Sequence, residues 1–287
     1  MKTHPMPISA AIVLLLFCAA TRTAAWWSGG HQLCTRAAVQ ALPDDMPKFF
    51  REGVLDLSEM STEADNWKHA TAPHLKTTEQ PEHFIDLEYL GNQPIPERRF
   101  DLAKIYVQQN VDLNRGGFLP YAIQEGYERL MLAFREHRNR PEAESVKRRI
   151  LVYAGWLAHY CQDAAMPLHT TRHFDGRPGA NGTLEQKGIH ARIDSYPEQN
   201  GFTPEMLCEG LKIESTPAIF PLIVAQLRAS HEKVNLCYEL DRKGAFQERP
   251  EAGRELMLAC TRAGTKLTAQ IWYSAWVNSA PEKAGIR

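Results

Sequence analysis

The chain has 287 residues, is 44% hydrophobic and carries a formal net charge of −1. A chain of this size buries one sizeable core, and its charge balance gives no electrostatic footprint for gripping duplex nucleic acid over many phosphates. No apolar run approaches the roughly 20 residues that a membrane-spanning helix needs.

Residues 1–25 read as a signal peptide, with Lys2 as a basic start, an apolar stretch from Ile8 to Ala20 and small residues up to Ala25. Cleavage there starts an exported chain at Trp26, secreted or periplasmic, and moves the net charge from −1 to −3. Residues 26–287 then form a single domain. Five cysteines remain (Cys34, Cys161, Cys208, Cys237 and Cys260), so in an oxidising compartment one or two disulfides are expected, in a pairing that spacing does not fix. Asn181-Gly182-Thr183 is a glycosylation sequon.

The mature chain opens WWSGGH, a flexible Ser28-Gly29-Gly30 ahead of His31. Helical periodicity runs from His31 to Leu42 and stops at Pro43. Asp44 and Asp45 suit the cap of a short second helix carrying Phe49 and Phe50. Between Leu55 and Pro96 the pattern breaks up at Pro73, Pro81, Pro94 and Pro96, which predicts irregular chain. That stretch nevertheless holds ADNWK, with Asp65 and Lys68, and EHFIDLE, with His83, Phe84 and Asp86. Helices are predicted over 98–109, 120–137 and 141–165, then over 216–246 and 250–279. No alternating strand pattern exceeds four residues, so the fold class is all-α, a single helical bundle with a loop-rich cleft.

The chemistry concentrates between Val152 and Asp194. His159 and Asp163 are four apart on a helix and share a face. Pro167 stops that helix and lets His169 fold back toward it. His190 and Asp194 repeat the four-residue step beyond a Gly/Asn-rich loop. Imidazole nitrogen and carboxylate oxygen are the donors zinc takes, and there is no C-x-x-C to compete. The freed amine and carbonyl of Trp26 could chelate a cation with His31. In chain order the donor set is Trp26, His31, Asp65, His83, His159, Asp163, His169, His190 and Asp194. The remaining histidines, His69, His74, His137, His173 and His231, read as surface residues. Cys161 reads as structural, and Trp67, Trp156, Trp272 and Trp276 as core or cleft wall.

These motifs, Trp-x4-His, an Asp before HFID, His-x3-Asp-x5-His and His-x3-Asp, resemble the trinuclear zinc phosphodiesterases. That superfamily comprises the zinc-dependent phospholipases C and the single-strand-specific nucleases of the S-one/P-one type. The match extends from Trp26 to Asp194. The resemblance implies three zinc ions: one on Asp65, His83, His159 and Asp163, a second on His169, His190 and Asp194, a third on Trp26, His31 and the other oxygen of Asp163. It further implies that Asp65 orients or deprotonates the attacking water, that Lys68 sits beside the phosphate, and that Phe84 stacks on a base while Asp86 hydrogen-bonds it. The short step from Trp26 to His31, Asp194 in place of the Glu favoured by phospholipases, and the length of the loop before His190 lean toward an endonuclease that leaves 5′-phosphates on single-stranded nucleic acid. A phospholipase C and a helical metal-binding protein without activity are the alternative readings. No segment asks for an obligate protein partner. Two departures from the family pattern stand out: the step from Asp65 to His83 is longer than usual, and Gln162 occupies a position where Gly is usual.

Overall fold

A computed structural model describes residues 28–281. The expected signal peptide, Trp26 and the last six residues lie outside these. The described chain is helical, as expected, with one short hairpin as its only sheet among the described residues.

In chain order the helices are α1 (Ser28–Ala41), α2 (Lys48–Glu52), α3 (Val54–Met60), α4 (Glu63–Asn66), α5 (Pro73–Glu79), α6 (Arg99–Gln108), α7 (Leu113–Gly116), α8 (Leu119–Asn139) and α9 (Glu144–Asp163). After a 3-10 turn over Pro167–Thr170 and a hairpin of β1 (Arg177–Pro178) with β2 (Leu184–Glu185) come α10 (Ile189–Asp194), α11 (Tyr196–Gln199), α12 (Pro204–Cys208), α13 (Ile219–His231), α14 (Val234–Arg242) and α15 (Arg254–Asn278). No described helix is long and apolar enough to cross a membrane.

The long helices α1, α8, α9 and α15 pack on one another because each carries an apolar stripe at helical spacing. Ile150, Ala154, Leu157 and Cys161 of α9 are fully buried against partners such as Leu130 and Phe134 of α8 and Trp272 of α15. Each large side chain among them, such as Ile150 or Leu157, contributes about 1.5–3 kcal/mol on removal from water. The indole of Trp272 donates to the Ala154 carbonyl at 3.0 Å, which satisfies its one polar atom. A second apolar cluster gathers Leu33 of α1, Met166, Leu168, Ile193, Tyr238 of α14 and Met257 of α15. Helix α1 contributes to both clusters, and the chain passes from the first to the second just beyond α9, with Cys161 and Ala164 in the first and Met166 and Leu168 in the second, so the polar residues of α1 and of the last turn of α9 lie where the two meet.

Several elements differ from the sequence reading. Ser28, Gly29 and Gly30 are the first turn of α1 rather than a loose arm. Helix α2 is preceded by Pro47, and neither Asp44 nor Asp45 caps it. The stretch 55–96 holds α3, α4, α5 and two 3-10 turns: prolines sit in the first turns, where a missing N–H costs nothing, so they start helices as well as end them. Helix α9 begins at Glu144, three residues after Pro141. The expected helix over 216–246 is two, α13 and α14, broken at Glu232-Lys233 without glycine or proline. All five cysteines among the described residues are free thiols, four of them buried, so the expected disulfides do not form among them. Cys161 sits in the first core and Cys34, Cys237 and Cys260 in the second, where they pack as small apolar groups.

Candidate metal centre

Helix α9 supplies the axis of the site. His159 and Asp163 point from its last turns into the seam, and both are fully buried. The chain then reverses: Met166 is extended, as the residue before a proline is, and the following 3-10 turn carries His169 back toward Asp163. Helix α1 brings His31, α4 brings Asp65, and the turn after α5 ends on His83. Helix α10 presents His190 and Asp194 one turn apart.

The eight described donors come together in three groups, the first two sharing His159: His31 with His159 and Asp163; Asp65 with His83 and His159; His169 with His190 and Asp194. Trp26, the ninth, lies outside the described residues. Asp163 joins the groups with both oxygens. Its Oδ2 lies 3.0 Å from His83 Nδ1 and 3.3 Å from His159 Nε2. Its Oδ1 lies 3.7 Å from His31 Nε2 and 3.5 Å from His169 Nδ1. Asp65 Oδ1 is 3.7 Å from His159 Nε2 and 3.9 Å from His83 Nδ1.

The outer contacts of the rings decide where their protons sit. His159 Nδ1 donates to the Ser61 carbonyl at 2.8 Å, and His169 Nδ1 to the His83 carbonyl at 2.7 Å. Because a carbonyl only accepts, each Nδ1 carries the proton and each Nε2 keeps a lone pair. His83 turns its Nε2 toward the Glu79 carboxylate, 3.5 Å away, whose other neighbour is the Tyr160 hydroxyl. The lone pairs fixed on His159 Nε2 and His169 Nε2 each face a second imidazole nitrogen: His83 Nδ1 lies 2.9 Å from His159 Nε2, and His190 Nε2 lies 3.1 Å from His169 Nε2. With Asp163 and Asp65 beside them, acceptors face acceptors in a buried seam, an arrangement that costs free energy unless a cation lies between. The spacings are close to the edge of a tetrahedron of nitrogens about 2.0–2.1 Å from zinc. The donor set fits that ion.

The electrostatics agree. Burial alone would raise the Asp163 carboxyl, but His169 and His159 outweigh it and hold it well below the ordinary carboxylate range. Asp65 is likewise lowered against its burial by His159, Lys68 and His83. Burial, together with His159, pushes His31 down to about 3, and burial together with His169 does the same to His190. Neutral imidazoles are the form that ligates; His159 goes the other way, Asp163 and Asp65 outweighing its burial and raising it, so it gives up a proton to a cation that binds there.

Lys68 stands at the rim, with Nζ 2.6 Å from Asp65 Oδ1 and 3.5 Å from His83 Nδ1. Phe84, half-buried, and Asp86, buried, follow His83 in a segment pinned on both sides. Ile85 N–H donates to the His169 carbonyl at 2.9 Å and Asp86 N–H to that of Gly116 at 2.9 Å. Gly117, at φ +83, lies so close that a Cβ there would stand 2.2 Å from the Phe84 carbonyl oxygen. Burial and the nearby Glu88 push the Asp86 carboxyl up to about 8, against the pull of Arg172. On the far side, the exposed Phe174 stands edge-on to the His190 ring at 5.7 Å.

Two surface expectations fail. His137 is buried against Phe49, and His231 donates to the Thr170 carbonyl at 2.9 Å, fastening the turn that carries His169. Glu79, Tyr160 and Phe174 were not singled out by the sequence. Trp67 and Trp156 line a cavity of about 420 Å³ that also reaches Glu79 and Tyr160, in keeping with a cleft wall.

No protein-family model matches the chain, and no curated protein matches it in sequence. Among solved structures it is similar to the alpha toxin of Clostridium absonum, with 14% identity, 88% of this chain and 65% of that chain covered, and a TM-score of 0.46. The alpha-toxin of Clostridium perfringens from the avian strain SWCP gives 13% identity, coverage of 87% and 64%, and a TM-score of 0.45. The chain thus spans just under two thirds of the length of either toxin.

Proposed function

We propose that this chain is an exported, zinc-dependent phosphodiesterase whose preferred substrate is single-stranded nucleic acid. The observation that carries the reading is Asp163: each of its oxygens faces a different group of imidazoles inside a seam of converging lone pairs. On this reading His31, Asp65, His83, His159, Asp163, His169, His190 and Asp194 hold the ions, and the amine and carbonyl of Trp26 complete the group at His31. When bound there, zinc supplies Lewis-acid polarisation of a phosphoryl oxygen and lowers the pKa of water toward about 7.

The chain's own residues do the rest. Asp65, ionised and at the rim of the first group, accepts the proton of the attacking water. Lys68 offsets the negative charge of the diester as a point charge rather than a bidentate fork. Phe84 follows the donor His83 in the chain and Phe174 stands edge-on to His190, and on this reading each offers its ring to a splayed base. Asp86, with its carboxyl still protonated at neutral pH, can donate one hydrogen bond and accept another along a base edge.

A second reading, hydrolysis of a phospholipid head-group ester, is favoured by one observation. Phe174 and Leu184 are both more than half exposed on the loop beside His190, an apolar rim that an acyl surface would cover. Purified mature protein assayed on single-stranded DNA, RNA and phosphatidylcholine, with and without chelator, separates the two. Cleavage of nucleic acid that is lost on chelation and restored by zinc is expected. Activity that survives exhaustive chelation would overturn both readings.

A further inference from the structure

Gln162 immediately precedes Asp163 and is buried, yet none of the roles above uses it. Both ends of its amide are engaged. Oε1 lies 2.7 Å from His31 Nδ1, and Nε2 donates to Thr35 Oγ1 at 2.9 Å. His31 and Thr35 are one turn apart on α1, so a single side chain ties that face of α1 to the last turn of α9. It has little room to swing away. Helix α15 passes so close that a Cβ on Gly264 would stand 3.3 Å from the Gln162 Cα.

We propose that Gln162 is the positioning residue that fixes the tautomer and aim of His31 in the metal centre. This rests on the metal-centre reading above. With Thr35 taking the amide N–H, the amide oxygen faces His31, whose Nδ1 must then be the protonated nitrogen. Its Nε2 keeps a lone pair directed at the centre, 3.7 Å from Asp163 Oδ1. A reversed amide would aim its N–H at Nδ1 instead and place the ring proton on Nε2, closing that atom to a cation. The ring is also stacked on His159 at a centroid distance of 4.0 Å, so its plane is set by one neighbour and its proton by another. His159, His169 and His83 achieve the same end with carbonyl or carboxylate acceptors; His31 alone among these four depends on a neutral side-chain amide. Glycine at 162, the residue usual in the resembling family, would leave His31 Nδ1 without this acceptor.

The test compares wild type, Q162L, Q162E and T35V by zinc titration against a competing chelator and by nitrogen NMR of the imidazoles in the metal-free protein. Wild type is expected to show His31 protonated on Nδ1. Outer partners of metal ligands are worth about 10–100-fold in metal affinity, so Q162L is expected to weaken one ion by that factor and to lose the tautomer preference. Q162E keeps an acceptor and is expected to retain both. T35V, a milder change with Gln162 in place, is expected to loosen the tautomer preference and serves if Q162L does not fold. A folded Q162L, or T35V in its place, with unchanged tautomer and unchanged affinity for every ion overturns the role of Gln162. Wild-type protein that takes up no zinc overturns the metal centre itself, and this role with it.

Discussion

The two sides of the proposed metal centre are built differently. The inner side, His31, Asp65, His83, His159 and Asp163, rests on α9 and on helices packed against it, and its three imidazoles each have an outer acceptor. The outer side, His190 and Asp194 with His169, sits on a six-residue helix and a 3-10 turn beside a glycine-rich hairpin. His31 and His159 are completely buried, whereas the His190 side chain is 23% exposed. Rings whose orientation is fixed before an ion arrives lose less entropy on binding, so the inner side is expected to bind more tightly and the outer side to exchange first.

Substitution of Asp163 should have the largest effect, since it breaks both sides at once. D163N is expected to lower zinc content and to reduce kcat/KM by more than about 100-fold, beyond what removal of an outer partner costs. His159→Ala and His190→Ala separate the two sides: the first is expected to lose inner zinc and nearly all activity, the second to lose only the ion that chelator removes first. Equal losses in metal analysis would erase the distinction between them. Gly155→Ala reaches the inner side from outside. A Cβ there would meet Met60 Cβ at 2.3 Å, forcing α3 off α9 and moving the Ser61 carbonyl that orients His159. A loss of about 1–3 kcal/mol in thermal melts is expected, as for other overpacked cores, with the outer ion undisturbed.

The smallest effect concerns Asp86, on the segment that joins the two sides. Its carboxyl holds its proton up to about pH 8, above the ordinary value of about 3.9. If the proton serves base binding, kcat/KM on single-stranded DNA falls as pH rises through 8, and D86N flattens that limb. The sign for stability is the same: between these two values the folded chain binds a proton the unfolded chain lacks, so stability declines as pH rises, and D86N should gain most above pH 8.

What was legible in the sequence was whatever a regular helix imposes. His159 with Asp163, and His190 with Asp194, share faces because four residues make about one turn, and Pro167 marks the reversal that returns His169. Illegible were partners whose chemistry is common and whose closeness is tertiary. The Ser61 carbonyl could belong to any residue, and Glu79 lay in a proline-rich stretch whose prolines turned out to start helical turns. The break between α13 and α14 leaves no composition signal; tertiary packing selects it, with His231 tied to Thr170. His137 misled in the opposite way, since a basic residue in the last turn of a helix reads as solvated, yet α8 folds it against Phe49.

The central claim is that acceptor atoms converge here because a cation belongs between them. Zinc content of the purified mature chain, by native mass spectrometry with elemental analysis, tests it most directly. Three ions per chain, falling by one in H190A and further in D163N, are expected. A folded protein that takes up no divalent ion, with the same melting temperature in zinc and in chelator, would contradict it.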